Sequence, residues 1–185
     1  GPRALGAQWI GGELPRACGF DVPEIVFAEL DPVLARTAGD PEIQALVRAS
    51  AGLNLALDYL PGAANFDPLA WQPDPALASR IVWFDAFASN VDRSARNPNM
   101  LLWHRRLYLI DHGAALYFQH GWDGAIERAD AAFPLIRDHV LLPWADEVPR
   151  ADAELAPRLT ADIVAGIVAQ VPDAWLEGPD AFAGA

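Results

Sequence analysis

Asp92, Asn97 and Asp111 carry the oxygen atoms from which this sequence could assemble a reaction centre. The first two lie five residues apart in the stretch NVDRSARNPN (90–99), and Asp111 follows fourteen residues after Asn97, ahead of Gly113. Phosphoryl transfer from a nucleotide needs a carboxylate that orients or deprotonates an attacking hydroxyl, and hard oxygen ligands for Mg²⁺. Two carboxylates and an amide supply that set if the chain brings them to one edge. Asn99 is a reserve ligand, because Asn-Pro-Asn holds two amides close together. Asp92-x4-Asn97 taken alone has a plainer reading, since Asp and Asn crowd loops for turn chemistry. A third reading is a metal-dependent phosphoesterase built on the same Asp, Asn and His side chains. The four histidines, His104, His112, His120 and His139, are spaced by eight, eight and nineteen, which matches no compact transition-metal motif.

The elements that must position these residues are legible on either side. MLLW (100–103) and LYLI (107–110) read as a hairpin joined by His104-Arg105-Arg106, and its exit delivers Asp111-His112-Gly113. Before the loop, Asp74-Pro75 opens a long helix with Leu77, Ile81, Phe84 and Phe87 or Ala88 on one side. Asp85 on that helix reads as solvent-facing. Further upstream, residues 2–18 show helical spacing, with Pro15 expected to kink or shorten the helix. Residues 22–30 and 53–60 read as strands, the second by its alternating Leu and Tyr. Asp31-Pro32 and Asp40-Pro41 read as two more helix starts, and 61–73 as loop. After the hairpin, helical segments are expected near 114–119, from Asp123, through Pro134–Leu142, and over Thr160–Gln170 with Thr160 as N-cap.

Asp-x4-Asn in a loop, followed by strand, turn, strand and Asp-x-Gly, is the arrangement kinases use for base and metal ligands. Here NVDRSARNPN and LYLIDHGAAL resemble the catalytic and metal-binding segments of HipA-like kinases, distant relatives of the phosphatidylinositol 3/4-kinases. ACGFDVPEIVFAEL is similar to the family's helix-to-strand passage, and LNLALDYLPGA to the strand leading into the hinge between lobes. The resemblance covers roughly residues 2 to 177, though only the two catalytic segments are specific. It implies an α+β, protein-kinase-like fold: residues 1–60 an incomplete N-lobe, 61–185 a mostly helical C-lobe. It implies Asp92 as base with Arg93 beside it, Asn97 and Asp111 as Mg²⁺ ligands, and Asp58, Tyr59 and Leu60 at the ATP site. The substrate implied is a hydroxyl, of a protein Ser/Thr or a small molecule. Ser94 stands where the related motif has His, and His112 where D-F-G has Phe, a change read as one of packing.

All 13 basic residues are Arg, so the lysine that kinases use on the phosphates is absent. The single Met is Met100 and the first residue is Gly, so the chain is expected to begin after the glycine-rich loop and lysine strand. As given, it is expected to have little or no kinase activity. Gln8 falls where the family carries the glutamate that pairs with that lysine, and a non-catalytic pseudokinase or interaction module is the alternative.

Composition narrows the remaining classes. A net charge of −12 disfavours a nucleic-acid partner, because phosphate backbones call for a basic face. No apolar run reaches the length of a membrane helix. The one cysteine, Cys18, reads as a small core residue and fits a reducing, cytoplasmic setting. The seven Trp read as core. Arg93, Arg96, Arg105 and Arg106 cluster near the proposed site. They suit phosphate or, equally, a solvated hairpin tip.

Overall fold

The computed structural model describes residues 2–116 and 131–176. The segment expected near 114–119 is turn and bend, not helix, over its described residues 114–116; its remainder, the segment from Asp123 and His120 lie outside that range. Five helices, α1 (Pro2–Ala17), α2 (Pro41–Ala49), α3 (Pro75–Phe87), α4 (Val148–Leu155) and α5 (Ala161–Val168), combine with two small sheets among the described residues. The architecture is α+β.

One sheet pairs β1 (Ile25–Leu30) with β2 (Gly52–Leu57), antiparallel, with Ile25 opposite Leu57. The other orders β3 (Ala64–Asn65), β4 (Met100–Trp103) and β5 (Arg106–Leu109), all antiparallel. The β4–β5 turn is two residues, His104 and Arg105, with φ of 48° and 63°. Positive φ at both central positions matches the right-handed twist of the strands. Arg106 belongs to the strand, opposite Trp103, and ion-pairs with Asp21.

The helix starts form as their sequence dictates. Asp31, Asp40 and Asp74 each accept a backbone N–H two residues on, at 2.8, 2.7 and 3.0 Å, and Thr160 accepts that of Ile163 at 3.3 Å. Pro15 does not shorten α1, which runs two residues past it. It falls in the last turn, where the missing N–H forfeits one hydrogen bond only. Residues 134–144 form two 3₁₀ turns, Pro134–Asp138 and Leu142–Trp144, rather than one helix. The helix over Val148–Leu155, not among the expected elements, carries apolar Val148, Ala151 and Leu155 at helical spacing.

One apolar cluster unites α1, α3, the hairpin and the C-terminal turns, with Ile10, Leu14, Ile81, Phe84, Met100, Leu109, Leu141 and Leu155 buried. Cys18 is fully buried in it, and burial pushes its thiol up to about 11, so it packs rather than reacts. Trp9 stacks on Phe27 at 4.5 Å, and Phe27 meets Trp175 at 5.8 Å, so three segments distant in sequence close on one another. Trp9 and Trp175 donate their indole N–H groups to the carbonyls of Ile167 and Leu53, each at 3.2 Å.

Gly11 lets α1 approach the segment that follows β5. A Cβ on Gly11 would stand 2.9 Å from His112 Cβ and 3.1 Å from the His112 carbonyl, neither of which can swing aside. Among the described residues, Gly166 on α5 has nothing within 4 Å of the same position. Gly166→Ala should therefore raise stability by ~0.5–1 kcal/mol, the helix-propensity gain alone. Gly11→Ala should lower it by ~1–2 kcal/mol, because overpacking outweighs that gain. Thermal midpoints of the two variants read opposite signs if α1 is seated this closely.

Candidate functional site

Within 90–99 each asparagine has a separate task. Asn90 donates from Nδ2 to Asp85 Oδ1 at 2.9 Å and accepts the Asp92 N–H at 3.1 Å, which sets the entry of the loop. Asn97 is exposed and closes a local turn: its carbonyl takes the Ser94 N–H at 3.1 Å, and its own N–H reaches Ser94 Oγ at 3.4 Å. Asn99 is buried, with φ of 47°. Its Nδ2 donates to Asp92 Oδ2 at 3.2 Å and lies 3.4 Å from the Asp111 carbonyl. Asn99 therefore ties the loop's carboxylate to the hairpin's exit. Among the three asparagines, this one spans the two segments that must converge, while Asn97 stays with Ser94.

Asp111, φ 51°, leaves β5 in a left-handed conformation and is exposed. It lines a cavity of about 770 Å³ together with Gln8 and Leu5 of α1, Leu57–Leu60 at the end of β2, Leu101 of β4, Ile110 and Gly113. The structure thus brings Asp58, Tyr59, Leu60 and Asp111 to one cavity. Asp92 is half-buried beside it through Asn99, and Asn97 is outside its walls. Among the described residues most of the lining is apolar, its ionisable groups are Asp58, Tyr59 and Asp111, and no Arg is part of it. Gln8 faces the Asp111 turn: a Cβ placed on Gly113 would lie 3.8 Å from both Gln8 Oε1 and Asp111 Oδ1.

Two expectations about charge are overturned. Asp85 is not solvent-facing; it is fully buried. The helix carrying it, PALASRIVWFDAF, is apolar on nearly every side, and such a helix is enclosed. Arg93, also read as available to phosphate, is 1% exposed. Its Nε meets Asp85 Oδ2 at 2.5 Å, and its Nη1 donates to the Asn99 carbonyl at 2.6 Å. His139 Nε2 lies 2.8 Å from the same Asp85 oxygen. Burial alone would raise the Asp85 carboxyl. The Arg93 charge, with hydrogen bonds from His139 and Asn90, wins and holds it down to about 2. Arg106 is spent on Asp21.

His112 is enclosed completely, as a packing residue would be. Burial first, then the Arg93 charge, pushes its imidazole down to about 3, so the ring is neutral in the folded chain at neutral pH.

Among the described residues, no group of three or more His, Cys, Asp or Glu is placed to hold a metal ion. Two carboxylates and an amide, Asp92, Asp111 and Asn99 or Asn97, still suit Mg²⁺, which takes one or two protein carboxylates and completes its shell with water and phosphate oxygens. Among the described residues, no helix is long and apolar enough to cross a membrane.

A search of curated proteins and a search of solved structures each returned no match. A sequence model of a protein family, described as HipA-like kinase, matches residues 1–183.

Proposed function

The chain belongs to the HipA-like kinase family, and we propose that it carries the nucleotide and Mg²⁺ site of an ATP-dependent phosphotransferase acting on a hydroxyl, that of a protein Ser/Thr. The observation that carries this reading is Asp111 in the wall of the cavity that Asp58, Tyr59 and Leu60 also line. Its apolar faces, Leu5, Leu57, Leu60 and Ile110, suit a purine ring.

In this reading Asp92 accepts the proton of the attacking hydroxyl, and the Asn99 amide on its Oδ2 fixes which oxygen is left free. Asp111 would hold the cation, with the amide oxygen of Asn97 or Asn99. Mg²⁺ held there would supply positive charge to offset the charge that develops on the phosphate oxygens. Arg93 acts from beneath, on the loop's backbone. We assign the whole to a protein-kinase-like fold, residues 1–60 contributing to the N-lobe, in a cytoplasmic setting.

The pseudokinase reading has one observation in its favour: Gln8, not an acid, faces Asp111, and no cationic side chain lines the described cavity. It predicts nucleotide binding without turnover.

Calorimetric titration with ATP, with and without Mg²⁺, tests the site. Binding should depend on Mg²⁺, and Asp111→Ala should weaken it about tenfold or more, the worth of one charge-assisted contact. ATP binding indifferent to Mg²⁺ and to Asp111 would sink the proposal. Mn²⁺ or Zn²⁺ binding with hydrolysis and no role for ATP would favour the phosphoesterase.

A further inference from the structure

We propose that His139 and Asp85 are positioning residues for the 91–99 loop, acting through Arg93 to hold Asp92 and Asn99 against the Asp111 turn. The inference rests on the phosphotransfer reading for its purpose, but its geometry stands alone.

Arg93 grips the loop at two places, since its backbone belongs to residue 93 while its Nη1 holds the carbonyl of residue 99 at 2.6 Å. That carbonyl also accepts the Ile110 N–H at 3.0 Å, so the guanidinium reaches the hairpin exit through one shared oxygen. Asp85 orients the guanidinium at 2.5 Å and, through its other oxygen, the Asn90 amide at the loop's entry. His139 completes the set from the far side of the chain. Its Nδ1 accepts the Leu141 N–H at 3.0 Å, which leaves the proton on Nε2, aimed at Asp85 Oδ2 2.8 Å away. Next to it, the Val140 N–H donates to the Arg93 carbonyl at 3.0 Å, and Ser94 pairs with His139 as an antiparallel bridge. The segment 139–141 thus backs the loop at Arg93 and Ser94.

A buried Asp–Arg pair is a poor way to gain stability, since apolar residues of similar volume do as well or better. What the ionic version supplies is direction, with Asp85 receiving Arg93, His139 and Asn90 along three fixed lines. The consequence falls on Asn99, whose side chain bridges Asp92 and the Asp111 backbone.

The test compares His139→Leu with His139→Gln in the full chain. Leu removes the donor to Asp85; Gln keeps one. Amide hydrogen exchange over 91–99 should quicken about tenfold or more in His139→Leu and stay within about threefold of wild type in His139→Gln, with β1, β2 and α5 unchanged in both. Mn²⁺·ATP affinity should follow the same order, lost with Leu and kept with Gln. Exchange over 91–99 that is unchanged in His139→Leu, or raised equally along the whole chain, overturns the proposal. Should His139→Leu fail to fold, His139→Asn, whose shorter amide falls short of Asp85, takes its place under the same criteria. A wild-type chain that binds no Mn²⁺·ATP counts against the phosphotransfer reading alone, because the exchange pattern still decides this one.

Discussion

Asp85→Asn is expected to lower unfolding free energy by ~3–5 kcal/mol, a large part of the total for a domain of this size. The loss comes from the guanidinium left behind. Arg93 is 1% exposed, so a neutral neighbour strands a charge in a medium that cannot solvate it. Arg93→Met should cost a comparable amount for the mirror reason, although Asp85 would keep His139 and Asn90. The double variant discriminates. With both charges gone no ion is stranded, and the Asn99 carbonyl keeps the Ile110 N–H. It should be more stable than the sum of the single losses predicts by ~2 kcal/mol or more, read from urea midpoints of all four proteins. Single variants within ~1 kcal/mol of wild type would mean that water reaches the pair.

The second large effect is a pH dependence centred on His112. Unfolded, its imidazole takes a proton near the usual 6.5; folded, it does so only near 3. Below pH 6.5 the unfolded state therefore binds the extra proton, and stability drains away as pH falls from about 6.5 to about 3. Above that window the residue contributes no slope. One proton of difference amounts to ~1.4 kcal/mol per pH unit at most, or about 2 kcal/mol between pH 6.5 and 4.5. His112→Phe keeps a flat ring in the same enclosure and cannot take up the proton. Its stability should decline less steeply by that one-proton slope, with urea midpoints at pH 7.5, 5.5 and 4.5 in EDTA as the measure. Parallel profiles for variant and wild type would show that His112 already titrates freely in the folded chain. Asp85 acts at a lower range, its contribution present above about 3.8 and lost as pH falls through about 2.

The candidate site was legible where its signals are short. Asp92, Asn97 and Asp111 stood out because a loop, a tight hairpin and Asp-x-Gly follow one another within 22 residues, 92–113. The hairpin formed because both strands are apolar and a two-residue turn of the right twist joins them. Asn99 was in view only as a reserve, since nothing in Asn-Pro-Asn says which amide turns inward. The answer lies in φ of 47° at Asn99 and in the approach of Asp111, twelve residues away. Cys18 in the core and the Asp-Pro caps were readable for the same local reason: a cap's side chain meets backbone two residues on.

The amino-acid order by itself determined the family, the helix starts, the hairpin and the set of residues that could do chemistry, because each depends on neighbours within a turn or two. Only the tertiary structure decided that Asp85 and Arg93 are buried together, that His139 reaches them across 54 residues, and that Gln8 faces Asp111 across the cavity wall. A charge on a helix carries no mark of what will be packed over it; that is settled when distant segments exclude water from both members of the pair at once.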